Sequence, residues 1–285
     1  MIFDARELAQ LRRLEILAAK VARGQLHGER EMKRSGPGSG FREHRQYQTG
    51  DSLRQVDWNV YARTDELVVK EFDAEEALDL VLVQDRSSSM RGAAALTAAK
   101  VTAALGAVAL NQLDRIVWIP VGGERRAGET FSSKNRQNDL FTLVQGEATG
   151  RSDMLGAMRA ALPRTSRGGL AFVISDFFDP EGATRGLSYL LARRYQLRVI
   201  EVEDPEALKE PPLGRTLLID RETGETLKLD ITEEVLAEYR HAREQRAEGL
   251  RNFCQRSGAG FLRVRADQPF FEIVQNALAR GWMAG

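Results

Sequence analysis

The chain has 285 residues, enough for one large domain or for a core with a small appendage. Lys plus Arg equals Asp plus Glu at 41 each, so no bulk charge favours nucleic acid or an acidic membrane surface. One cysteine, Cys254, excludes an internal disulfide and agrees with a reducing compartment; with no ligand-type neighbours, it reads as a packing residue.

The first residues lack the basic start and apolar core of a signal peptide, and no window reads as the ~20 apolar residues that span a bilayer. The expectation is a cytoplasmic protein that reaches a membrane only through a partner. Over residues 4–22, Leu8, Leu11, Leu14, Leu17, Ala18 and Val21 recur at helical steps, which predicts an amphipathic helix capped by Asp4. That helix can bind a partner or pack back on the body, and packing back is the plainer reading. Residues 35–40, Ser-Gly-Pro-Gly-Ser-Gly, read as a linker, because the strand and helix that frame a phosphate loop are missing. Residues 67–72 read as a strand that joins residues 41–47 in a small antiparallel appendage.

From residue 77 onward, apolar strands alternate with helices. Strands are expected at 77–83, 115–121, 169–175, 196–201 and 260–265, and helices at 92–113, 153–162, 182–194, 232–257 and 269–279. Residues 128–133 read as a loop or short edge hairpin, with a short helix at 135–143. This is the signature of a doubly wound, mostly parallel α/β sheet. Residues 214–230 break the rhythm: strands at 216–219 and 226–229 flank Glu222-Thr223-Gly224, which predicts a hairpin extending the sheet edge. The expected organisation is an appendage over 1–75 and a core domain over 76–285.

Three segments can supply oxygen ligands to one place. Asp85, Ser87 and Ser89 follow the first buried strand, Ser152 opens a helical stretch, and Asp176 ends another buried strand. Carboxylates at two strand ends with hydroxyls between them describe a site for a hard divalent cation at the carboxyl edge of a parallel sheet. Taken alone, Asp-x-Ser-x-Ser could equally be an ordinary helix-capping turn. Enzyme readings are weaker. His27, His44 and His241 stand in dissimilar contexts, and Ser89 lies outside any Gly-x-Ser-x-Gly elbow. A cation held here could activate water, so a metal-dependent phosphoester hydrolase is the catalytic alternative. A scaffold with an unused site is the structural one.

The pattern resembles the von Willebrand factor type A domain and its metal-ion-dependent adhesion site: Asp85, Ser87 and Ser89 match Asp-x-Ser-x-Ser, Ser152 falls at the second-loop Thr and Asp176 at the third-loop Asp. More closely, the chain resembles the domain of unknown function 58 family. The segments Phe41-Arg42-Glu43-His44-Arg45, Tyr47-Gln48-Thr49-Gly50-Asp51, Arg54-Gln55-Val56-Asp57-Trp58 and Tyr61-Ala62-Arg63-Thr64 carry that likeness in order. Ser152 departs from the usual Thr; it keeps the hydroxyl and loses the methyl that stiffens the rotamer. The resemblance implies Mg2+, with Mn2+ as the alternative, bound by Asp85, Ser87, Ser89, Ser152 and Asp176. It also implies a non-enzymatic adaptor that works with a MoxR-type AAA+ ATPase on a client protein, since the chain itself has no Walker motif. Many relatives carry membrane segments ahead of the type A domain, and this chain looks like the short form. Within residues 42–63, Arg54, Trp58, Tyr61 and Arg63 have the composition of a binding hot spot, and equally of a buried buttress in which an arginine answers Asp57.

Overall fold

The structure, a computed structural model, describes residues 2–32, 41–47, 56–72, 80–111, 115–123, 128–162, 168–206, 209–220 and 224–283. The first helix, α1 (Ala5–Met32), is longer than its apolar spacing predicts. Its start is a reciprocal cap: Glu7 N–H donates to Asp4 Oδ1 at 2.7 Å and Asp4 N–H to Glu7 Oε2 at 3.0 Å. Leu11, Leu14 and Ala18 are buried in the same apolar cluster as Ile2 and Phe3, so the helix packs back on the body. β1 (Phe41–Gln46) pairs antiparallel with β2 (Val68–Phe72), and α2 (Trp58–Thr64) lies between them in sequence. The linker at 35–40 and Arg54 lie outside the described residues.

The core then follows in βα units. β3 (Leu80–Asp85) leads to α3 (Gly92–Leu110), and β4 (Ile116–Val121) to the short β5 (Glu129–Phe131) and α4 (Gln137–Leu143). Next come α5 (Met154–Ala161), β6 (Gly169–Ser175), α6 (Pro180–Ala192) and β7 (Tyr195–Glu203). A hairpin of β8 (Gly214–Ile219) and β9 (Thr226–Ile231) precedes α7 (Glu233–Ser257), β10 (Gly260–Arg265) and α8 (Phe270–Ala279). Side-chain caps mark several helix starts: Asp153 accepts from Gly156 N–H, Asp179 from Gly182 N–H and Thr232 from Val235 N–H. The central sheet has the order β10-β7-β6-β3-β4-β5, parallel except for β5 at the edge. This is the doubly wound α/β sheet that the sequence predicts.

Alternation along each strand builds two cores. Leu80 and Leu82, Ile116 and Trp118, Leu170 and Phe172, and Ile200 and Val202 face one cluster, shared with α1, α3, α4 and α8. Val81 and Val83, Val117 and Ile119, Ala171 and Val173, and Leu197 and Val199 face the other, shared with α5, α6 and the end of α7. Trp118 and Cys254 are core residues, as predicted. Burial pushes the Cys254 thiol pKa up to about 12, so it is no nucleophile at neutral pH. Chain connections run outward from β3 in both directions, through β4 on one side and β6 on the other. The strand order therefore reverses between β3 and β6, and an open α/β sheet leaves a crevice at such a point.

Two expectations need correction. The hairpin at 214–231 does not extend the sheet; β8 and β9 pair only with each other, in a separate two-stranded sheet. Its Leu217, Ile219 and Leu227 are exposed, so the apolar pattern that suggested an edge strand is not spent on the main core. The second concerns bilayer-length segments. By length and composition α3 could cross a membrane, but 78% of that stretch is buried inside the protein, against the sheet, α1 and α8.

One buried charge is held by a single strong contact. Glu201, whose side chain is 3% exposed, accepts from Arg263 Nε at 2.7 Å across the β7–β10 pair. Replacing Arg263 by Ala leaves that carboxylate unanswered. Urea unfolding should show a loss of about 3 kcal/mol for Arg263→Ala, most of it recovered by adding Glu201→Leu. A loss below ~0.5 kcal/mol, the size expected of a surface substitution, would show that the pair does not matter.

Candidate metal centre

β3 ends on Asp85, and the chain turns at once. Arg86 N–H donates to Val121 O at 2.7 Å and Ser88 N–H to Gly150 O at 2.9 Å, which ties the turn to the ends of two neighbouring segments. Gly122, at φ 82°, makes that approach feasible: a Cβ there would stand 2.7 Å from Ser87 N. The carboxylate of Asp85 is buried and organises the turn. Oδ1 accepts from Ser87 N–H at 2.8 Å, while Oδ2 accepts from Ser152 Oγ at 3.0 Å and from Ser175 Oγ at 2.6 Å. Ser87 Oγ and Ser89 Oγ lie 3.0 Å apart.

Asp176 follows β6 on the adjacent side. Ser175 Oγ accepts Phe177 N–H at 2.9 Å, and Asp176 Oδ1 accepts Phe178 N–H at 3.1 Å. Phe177 takes φ 51°, a left-handed turn that costs a non-glycine residue about 1–3 kcal/mol. Burial pushes the Asp176 carboxyl above the ordinary carboxylate range, and the charge of Asp85 adds to that shift. The Ser89 hydroxyl, the Phe178 N–H and Arg246 act against it.

The structure thus brings Asp85, Ser87, Ser89, Ser152 and Asp176 to one place at the carboxyl edge of the sheet. Ser175 belongs with them and was not singled out from the sequence. As the last residue of a buried strand, beside Asp176, its polarity on an otherwise apolar run was the available signal. Among the described residues no group of three or more His, Cys, Asp or Glu side chains is placed to hold a metal ion. The candidate set is therefore two carboxylates and several hydroxyls, all hard oxygen donors, which fits Mg2+ or Mn2+ better than Zn2+. A buried and a half-buried carboxylate whose charges repel are a donor set that a divalent cation would relieve.

Of the residues considered for partner binding, Trp58, Tyr61 and Arg63 lie on the exposed side of α2, with the Trp58 and Tyr61 rings edge to face at 6.1 Å. Asp57, just before them, is buried; its N–H donates to Val68 O at 2.9 Å and it caps α2 through Val60 N–H. The segment is divided between a support and an exposed face.

The raised Asp176 pKa fixes a sign. The protonated carboxyl is favoured in the folded state, so its stabilising contribution is lost as pH climbs from the ordinary carboxylate range through the raised value. In a chelator at neutral pH, Asp176→Asn should therefore have a higher Tm than wild type, and the advantage should shrink as pH falls to about 4. Added Mg2+ should raise the wild-type Tm and leave the variant unmoved. Equal Mg2+ responses, or a lower Tm for the variant in chelator, would contradict the arrangement.

Residues 43–248 match the family described as "Protein of unknown function DUF58". The chain is 29% identical to "Uncharacterized protein Rv1480" of Mycobacterium tuberculosis (strain ATCC 25618 / H37Rv) over 303 aligned positions, covering 100% of this chain and 93% of the relative. Among solved structures it is similar to an aerotolerance-related membrane protein from Bacteroides fragilis, with TM-score 0.41, 13% identity and coverage of 73% of this chain and 100% of that one. It is also similar to the SpRpn10 VWA domain, with TM-score 0.39, 9% identity and coverage of 70% and 94%. The match covers more than half of the sequence, and the chain belongs to the DUF58 family.

Proposed function

We propose that the protein is a non-enzymatic, metal-dependent protein-binding adaptor, in which a cation at the centre bridges the chain to a carboxylate on its partner. The observation that carries this reading is the pair of the buried Asp85 and the half-buried Asp176, close enough at the switch point of the sheet for the charge of one to act on the other, with hydroxyls around them. Ser87, Ser89 and Ser152 would be direct ligands, and Asp85 and Asp176 would bind directly or through water. Such a cation supplies an electrostatic bridge when bound. The chain's own contribution is to fix the oxygens: Asp85 holds Ser87, Ser152 and Ser175 in place, and the two cores hold the strands that carry Asp85 and Asp176. Mg2+ keeps part of its water shell, which leaves a position for an incoming carboxylate. By family resemblance the partner is a MoxR-type AAA+ ATPase, which would provide the nucleotide energy for acting on a client.

Binding to a co-encoded AAA+ ATPase tests the reading. Ser87→Ala and Asp176→Ala, each checked for folding, should weaken binding at least tenfold, a few kcal/mol for a bridge that is desolvated on docking. EDTA should do the same to wild type. Unchanged affinity in both variants and in EDTA would defeat the bridge. Metal-dependent phosphatase turnover that disappears in Asp176→Ala would replace the adaptor by an enzyme.

A further inference from the structure

Beside the centre, between the end of β7, the start of α3 and the middle of α7, lies a cavity of about 230 Å3. Its walls include Ser89, Asp176, Phe178, Tyr239, Arg243 and Arg246. Ser89 and Asp176 are thus common to the centre and the cavity, and a group held at the centre sits at the cavity's edge. The volume suits one large side chain. Phe178 is 65% exposed and Tyr239 39% exposed, two large rings left open at the same place.

The lining narrows the occupant. The cavity's other acids are engaged within the chain: Glu203 lies 3.7 Å from Arg263 Nε, and Asp204 accepts Glu206 N–H at 3.0 Å. On α7, Arg240 is held by Glu210 at 2.6 Å, whereas Arg243 and Arg246 form no ion pair among the described residues. The Arg246 guanidinium lies 4.9 Å from the Phe178 ring centre, and its Nε is buried without a hydrogen-bond partner. A ring entering here meets two aromatic side chains and a guanidinium, a setting that favours an aromatic over an aliphatic group.

We propose that this cavity is a specificity pocket, which receives an aromatic side chain next in sequence to the partner's metal-binding acidic residue. The proposal rests on the metal-bridged reading above and adds what the partner must present: an acidic residue followed by an aromatic one. The acid alone would give weak, indiscriminate capture, and the buried ring would provide the anchor that separates one acidic segment from another.

Three labelled, acetylated and amidated peptides serve as probes in Mg2+, with Asp-Trp, Asp-Ala or Asn-Trp at the centre of a Gly/Ser context. Ala242 is exposed on α7 and lines the cavity, so Ala242→Trp should fill it without disturbing the fold. Fluorescence anisotropy should show Asp-Trp binding wild type at least tenfold more tightly than Asp-Ala. Ala242→Trp should abolish that preference while its Mg2+ titration stays as in wild type. Equal affinity of Asp-Trp and Asp-Ala, or a tryptophan preference that survives Ala242→Trp, overturns the pocket and leaves the metal bridge standing. Asp-Trp binding that withstands EDTA and matches Asn-Trp overturns the bridge, and the joint proposal with it.

Discussion

Two carboxylates at the ends of neighbouring parallel strands are the constraint on which the site depends. β3 and β6 pair from Leu80 with Leu170 to Gln84 with Ile174, so Asp85 comes beside Ser175 and Asp176 follows one residue later, which delivers both carboxylates to one crevice. Like charges brought together under burial are unfavourable unless a proton or a cation intervenes. Asp85 is satisfied by three donors from its own chain, whereas the Asp176 carboxyl is pushed up, first by burial and then by the charge of Asp85. The hydroxyls of Ser87, Ser89 and Ser152 can orient oxygens, but they carry no charge to offset. The folded chain therefore holds an electrostatic tension that a divalent cation would relieve.

The scaffold can carry that tension because it is braced elsewhere. Each central strand is buried on both faces, with Leu80 and Leu82 in one cluster and Val81 and Val83 in the other. Gln84 links the two parts: its side chain donates to Val144 O and accepts from Trp118 Nε1, both at 3.0 Å, one residue before Asp85. A buried amide bonded through both its nitrogen and its oxygen fixes the strand end in a way that an apolar side chain would not. Gly122 removes the Cβ that would block the turn, and Phe177 accepts a left-handed conformation to aim Asp176. Sites supported by rigid strands in this manner are held more closely than sites on free loops.

Much of this was legible in the sequence. Continuous apolar runs bounded by helical stretches pointed to the sheet, carboxylates and hydroxyls at the ends of two of those runs pointed to Asp85, Ser87, Ser89 and Asp176, and a hydroxyl at a helix start pointed to Ser152. Less legible was anything that depends on tertiary neighbours. Ser175 looked like strand filler until the pairing of β6 with β3 placed its hydroxyl 2.6 Å from Asp85. The cavity joins α7 to the end of β7 and to α3, elements far apart in the chain, so no local pattern announces it. The hairpin misled because β-propensity reports fit to a pleated surface and says nothing about which sheet supplies it. α3 was legible as a helix, but not its bilayer-like length and composition, which here serve a helix enclosed by protein on several sides.

A divalent cation held by this oxygen cluster is the proposal on which the adaptor reading depends, and Mn2+ would report on it directly in solution. Electron paramagnetic resonance follows free Mn2+ as protein is added, for wild type and for Asp85→Asn, with acetate present as a carboxylate surrogate and folding checked by Tm. The account predicts one Mn2+ per chain in wild type, displaced by Mg2+, and a loss of at least tenfold in affinity for Asp85→Asn. Identical Mn2+ binding by the two proteins, or none by wild type in millimolar acetate, would contradict it.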